Sequence, residues 1–280
     1  MKRLLIFFAL CLPFFATAQS LEVGLLFGAS GYQGDLSPSN NRLGNFSDLG
    51  GSFGIFGRYS PNRLWSYRVG LTYGVVSADD ANSESESRRR RNLNFRSRIL
   101  ELSAVGEFNF LGRDRRFSPY VFGGVALFNF NPQAEFQGQR VDLQPLGTEG
   151  QGMDNFPGRY SRTQLSIPLG LGFNFAINDR LKLGVETGLR KTFTDYLDDV
   201  SGEYINYNEL LQGNGQLAAT LANRTGEFLG TDPVLVPTGS QRGNPDSKDW
   251  YFVTGVTLSY SLFDDDNGWA GGKDQIGCPY

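Results

Sequence analysis

Residues 162–176 read Arg162-Thr163-Gln164-Leu165-Ser166-Ile167-Pro168-Leu169-Gly170-Leu171-Gly172-Phe173-Asn174-Phe175-Ala176. Side chains along a strand alternate between two faces. From Leu165 to Phe175 every odd position is a large apolar residue. The even positions Gln164, Ser166, Pro168, Gly170, Gly172 and Asn174 are small or polar. One face therefore suits hydrocarbon and the other a narrow polar interior, the alternation of a membrane β-barrel strand.

The same pattern recurs in about eight segments, near 21–32, 51–59, 65–76, 98–111, 117–130, 162–176, 181–196 and 250–263. Connections at 60–64, 112–116 and 177–180 are tight; those at 33–50, 77–97, 131–161 and 197–249 are long and polar. This predicts an all-β fold, a closed antiparallel transmembrane barrel of about eight strands with short periplasmic turns and long extracellular loops. The segment 117–130 is apolar on both faces, so its orientation stays open. Thr254 is the one polar residue on the apolar face of 250–263.

Charges fall on the opposite face. Glu22, Arg58, Arg68, Glu101, Glu107, Lys182, Glu186 and Arg190 are all predicted to point inward, four acidic against four basic. An outward charge at the bilayer midplane would cost ~2–4 kcal/mol. An eight-stranded barrel has room inside for side chains only, so a balanced set reads as a paired network that fills the lumen. A selective pore lined by charge is the functional alternative.

The first residues direct export. Lys2 and Arg3 precede an apolar run from Leu4 to Phe15 and the small-residue site Ala16-Thr17-Ala18, which predicts a signal peptide over 1–18, a barrel over 19–263 and a periplasmic tail over 264–280. Losing Lys2 and Arg3 leaves 24 basic against 29 acidic residues, a net charge of −5. That is not the basic footprint of a nucleic-acid binder. Only Cys278 remains after cleavage, so no internal disulfide is expected. The 23 Phe, 12 Tyr and 36 Gly suit interfacial aromatic girdles and a crowded lumen.

Chemistry is sparse. The absence of histidine removes Ser-His-Asp and Cys-His schemes and most zinc sites, so no enzyme activity and no cofactor are expected. Asp264-Asp265-Asp266-Asn267-Gly268 is not a calcium loop, because Gln275 stands where the bidentate Glu belongs. Gly271-Gly272-Lys273 is followed by Asp274 and is no phosphate loop. The cluster Asp195, Asp198, Asp199 and Glu203 reads as a solvated rim, with calcium binding as the sharper alternative. Asp79, Asp80, Glu84 and Glu86 before Arg88-Arg89-Arg90-Arg91 read as a self-neutralising loop, or as a contact for acidic surfaces or lipopolysaccharide phosphates. Residues 206–222 predict two short helical pieces broken by Gly213 and Gly215. Tyr260-Ser261-Leu262-Phe263 has the terminal aromatic signal of a last barrel strand. The tail beyond it, with Trp269, Cys278, Pro279 and Tyr280, reads as a frayed end or a docking peptide for a periplasmic partner.

Several strings resemble one family. They are Tyr32-Gln33-Gly34-Asp35-Leu36, Glu107-Phe108-Asn109-Phe110-Leu111, Arg116-Phe117-Ser118-Pro119-Tyr120-Val121-Phe122-Gly123-Gly124, the run Leu143 to Gly152 and the run Thr192 to Ser201. In this order the chain resembles the PorG-like outer-membrane barrel subunits of the Bacteroidetes type IX secretion system. The resemblance implies a non-enzymatic barrel that anchors or docks a periplasmic ring of a lipoprotein and a second ring subunit, and contacts the translocon. Outer-membrane lipid is the other expected partner. A small pore, or an adhesin acting through loop 197–249, are the rival readings.

Overall fold

The computed structural model describes residues 20–37 and 48–264. The predicted signal peptide and the tail residues Trp269, Cys278, Pro279 and Tyr280 lie outside them. In chain order the strands are β1 (Ser20–Gln33), β2 (Leu49–Ser60), β3 (Trp65–Asp79), β4 (Asn94–Asn109), β5 (Phe117–Phe136), β6 (Gln139–Asp142), β7 (Thr163–Ala176), β8 (Leu181–Thr192), β9 (Glu203–Tyr204), β10 (Ser240–Gln241) and β11 (Trp250–Asp264). Among the described residues four short α-helices stand in the long loops: α1 (Glu86–Arg91), α2 (Tyr207–Gly213), α3 (Gln216–Ala222) and α4 (Thr225–Leu229).

Eight strands pair antiparallel in the order β4-β3-β2-β1-β11-β8-β7-β5, and β4 pairs with β5 to close the ring. Closure leaves these strands no free edge, the condition for a sheet to cross hydrocarbon. The register measures the slant. From Leu127 the ladder steps through Leu102, Leu71, Ile55, Leu25, Leu258, Leu183 and Phe175, and returns to β5 at Phe117. It comes back ten residues from where it left. With strands ~4.8 Å apart and ~3.3 Å per residue, that shear tilts the strands by about 40°.

All nine residues on this path face outward and are exposed. They form an unbroken apolar belt, so the barrel's exterior is built for lipid. Trp65, Tyr67, Phe110 and Phe117 ring its short-turn side, with Trp65 and Phe108 centroids 5.2 Å apart. The odd polar residue is satisfied in place: Thr254 faces outward beside Thr187, and their hydroxyls are 2.6 Å apart. Two exposed hydroxyls that bond each other avoid the cost of lone polar groups in hydrocarbon.

The belt ends where outward residues turn polar, at Arg98, Arg96, Asn131 and Gln133. Above it β3, β4 and β5 continue as a projecting sheet. β5 runs to Phe136, turns through Gln137 and Gly138 at φ 50° and 74°, and pairs with β6. The predicted loop at 131–161 therefore begins in a hairpin. Once both faces stand in water or against loops, alternation loses its apolar half and the strand signal fades. β8, predicted to reach 196, stops at Thr192. α2 and α3 fall on the two predicted helical pieces, and α4 follows outside that range.

Leu102→Arg, in the middle of the outward row, should lower folding stability in bilayers by about 2–4 kcal/mol. The same charge at exposed Asp232 in the loops should change it by less than about 0.5 kcal/mol. Urea titration of folding into vesicles measures both, and equal effects would contradict the belt.

Candidate functional site

The structure places all eight inward charges inside the ring. Near the short turns, Arg58 bridges Glu22 at 2.9 Å and Glu107 at 2.8 Å. Arg68 bridges Glu107 at 2.9 Å and Glu186 at 2.6 Å. Lys182 reaches the other oxygen of Glu22 at 2.5 Å. The four acids and three arginines are buried, and Lys182 is nearly so. Tyr120 donates to Glu186 at 2.7 Å, which gives that carboxylate a neutral donor as well as a cation. A guanidinium has five donors in a fixed fork, so one arginine joins two acids from different strands. Nearer the loops Arg190 grips Glu101 through Nε at 3.1 Å and Nη2 at 3.4 Å, and the Tyr251 hydroxyl donates to the same acid.

Residues outside the predicted set complete the filling. Arg113, from the β4–β5 turn, lies 3.8 Å from Glu22. Phe56 lies between Arg58 and Arg68, 5.1 and 5.2 Å from their guanidinium carbons, and Phe122 is 5.0 Å from Arg68. Their rings need glycines opposite. A Cβ on Gly24 would stand 2.3 Å from Phe56, and one on Gly170 2.4 Å from Phe122. The doubly apolar segment 117–130 was the signal. Its inward face carries Tyr120, Phe122, Ala126, Phe128 and Phe130, and its outward face Val121, Val125 and Leu127.

Above the charges lies an apolar layer. Tyr32, Val76, Phe95, Ile99, Phe128, Phe130, Leu197 and Tyr251 pack as one core across the loop end of the barrel. Over it the loops fold into a cap. Asp199 accepts from the hydroxyls of Thr148 and Tyr160, both at 2.6 Å. Tyr160 stacks on Tyr196 with ring centroids 4.4 Å apart. Glu149 accepts from the amides of Ser201 and Gly202, and Arg242 bridges Glu149 at 2.8 Å and the Asp199 carbonyl at 2.7 Å. Arg91 holds Asp80 through two bonds, 2.7 and 2.9 Å, and donates to the Arg242 carbonyl.

Two expectations are corrected here. Asp195, Asp198 and Asp199 are buried, and of the predicted rim only Glu203 is exposed. The aspartates are drawn inside because the 193–249 loop folds back over them. Among the described residues no three carboxylates are grouped to hold a metal ion. The arginine run is helix α1 rather than loop, and the predicted self-neutralisation is present in Arg90 with Glu86 and Arg91 with Asp80. The run is not self-contained, because Arg91 and Arg88 also donate to other loops, the latter through the Ser37 carbonyl.

The cap also holds a buried acid pair. The Tyr32 hydroxyl lies 2.6 Å from Asp198 and 2.9 Å from Asp249. A phenol has one proton to donate, so the second contact is a hydrogen bond only when that carboxyl is itself protonated. Burial raises both carboxyls well above the usual range, and the two acids repel each other when both ionise. Burial also pushes Asp199 up to about 6, against the pull of Arg242, Thr148 and Tyr160.

The sequence matches the family described as Domain of unknown function (DUF6089) over residues 1–219. The chain belongs to the DUF6089 family. No curated protein matches the sequence significantly. Among solved structures, this DUF6089 chain is similar to the attachment invasion locus protein Ail of Yersinia pestis, in complex with the heparin analogue sucrose octasulfate, at 9% identity and TM-score 0.42, covering 87% of this chain and 98% of that one. A major outer membrane protein from Thermus thermophilus shares 12% identity at TM-score 0.40, covering 87% and 100%. Neisserial surface protein A gives 9% and 0.40, covering 86% and 96%.

Two measurements probe this site. Removing one partner of a buried pair leaves an uncompensated charge, so Arg190→Met should cost about 3–5 kcal/mol, and Glu101→Gln combined with it clearly less. Urea unfolding of the barrel, followed by its heat-modifiable gel shift, checks both. A group with a raised folded pKa contributes stability that is present below the unfolded value, near 4, and lost as pH rises through the folded value. For Asp199 the loss runs from about pH 4 and is complete above about 6. Hydrogen exchange in residues 193–201, corrected for its intrinsic pH dependence, should therefore slow from pH 7 to pH 5, and slow less in Asp199→Asn.

Proposed function

We propose that this chain is a non-enzymatic outer-membrane barrel subunit of a protein secretion machine of the type IX kind, which docks a periplasmic ring complex at the membrane. The observation that carries the reading is that the interior is filled twice, by the ion network and by the apolar core above it. A barrel with no free interior has its ends left for function. The resemblance to type IX barrel subunits supports the choice of machine, since three of the strings that carry it come together in the cap: Tyr32 to Leu36, Leu143 to Gly152 and Thr192 to Ser201.

In this reading residues 1–18 are a signal peptide removed on export, and the belt is covered by outer-membrane lipid. The cap faces outward, and the turns with Arg63, Arg113, Arg115, Arg116 and Arg180 face the periplasm. The ring lipoprotein and ring subunit meet those turns and the tail, with Trp269, Cys278, Pro279 and Tyr280 as docking residues, and the translocon is a neighbour.

A second reading has one observation in its favour. The cap exposes Phe228, Leu229 and Leu235, each about half accessible, which suits a surface contact of the adhesin kind. Trimming 226–236 separates the two, since an adhesin loses surface binding and keeps secretion.

Pull-down from detergent-solubilised outer membranes should recover the ring lipoprotein and ring subunit with the full chain. Deleting 266–280 should leave an inserted barrel and reduce that recovery several-fold. Recovery unchanged by the deletion would remove the tail from the interface, and absence of ring subunits from both samples would overturn the docking role.

A further inference from the structure

The cap contains a cleft of about 650 Å³ between α1, the paired strands β9 and β10, and Gly34-Asp35 after β1. Its walls are mainly polar, and its charged lining is four arginines, Arg88, Arg90, Arg91 and Arg242, against one carboxylate, Asp35. In a chain of net charge −3 such a grouping does not follow from composition.

The four are not equivalent. Arg91 and Arg242 are held rigidly, the first by Asp80 and carbonyls, the second by Glu149 and the carbonyls of Asp199 and Ala222. Arg90 is 58% exposed, and its one ion pair is with Glu86, which is more exposed still. A pair this open is screened and contributes little, so Arg90 is readily recruited by a better anion. Arg88 gives one Nη1 hydrogen to a carbonyl, an uncharged acceptor. Fixed guanidiniums at the back and available ones at the mouth form a preorganised oxyanion site, because the planar fork matches phosphate and carboxylate geometry. Ser87, Tyr204 and Gln241 line the same space and supply neutral donors and acceptors of the kind that bind sugar hydroxyls.

We propose that this cleft binds an oxyanion carried on a polar scaffold, a phosphorylated sugar being the chemistry that fits its lining and size. The assignment stands apart from the secretion role and holds whether or not a ring complex is docked.

The full-length barrel in detergent is titrated calorimetrically with glucose 1-phosphate, with glucose as the uncharged control. Saturable binding of the phosphorylated sugar is expected, with no heat from glucose. Arg88→Gln combined with Arg90→Gln should weaken it at least about tenfold, the loss expected when charge-assisted bonds are removed. Should the double variant fail to fold, Arg90→Gln alone, at an exposed position, should weaken it about threefold. A phosphorylated glycolipid in micelles against its deacylated headgroup identifies the source: tighter binding of the lipid form marks a membrane glycolipid, and equal binding marks a soluble ligand. No binding, or binding unaffected by Arg90→Gln, would overturn the proposal.

Discussion

An eight-stranded ring sheared by ten residues encloses a space that side chains alone can fill, and every charge placed there must meet its opposite. Most of the molecule follows from that constraint. Within the belt the strands place their charges on the inward face, while the outward face is left to the continuous row from Leu127 to Phe117. The inward charges join into a network in which Glu107 links Arg58 and Arg68, and Glu22 links Arg58 and Lys182. The aromatic rings that share the space fit because glycines such as Gly24 and Gly170 stand opposite them.

The loop end extends the same logic into water. The cap is ordered by buried carboxylates, but its partners come from loops far apart in sequence: Glu149 with Arg242, Asp199 with Tyr160, Asp198 and Asp249 with Tyr32. These bonds tie the projecting β3–β5 sheet and the 193–249 loop into one lid over the apolar core. The lid's surface then presents both a polar arginine-lined cleft and exposed apolar residues near Phe228. Interaction chemistry is therefore concentrated where the barrel constraint no longer applies.

The barrel was legible in the sequence because lipid on one side and a crowded lumen on the other impose strict alternation, as in Leu165 to Phe175. Legibility stopped where those two environments stopped. The upper part of β5 and the hairpin to β6 have polar residues outward, at Asn131, Gln133 and Glu135, so they read as loop. The burial of Asp195, Asp198 and Asp199 was hidden for a different reason. The residues that cover or pair with them, such as Arg242 and Asp249, are more than forty positions away, and no local pattern announces a loop that folds back. Tyr120, Tyr251 and Arg113 were missed as lumen members. Two are aromatic and the third belongs to a turn, so none carries the charge alternation by which the others were found.

The central claim is that the lumen is sealed, and ion conductance of the purified barrel in planar bilayers tests it most directly. The account predicts insertion without discrete conductance steps, because the ion network and the apolar core leave ions no continuous wet path. Stable, ohmic single-channel steps from the folded, full-length barrel would contradict it and favour the rival reading of a small pore.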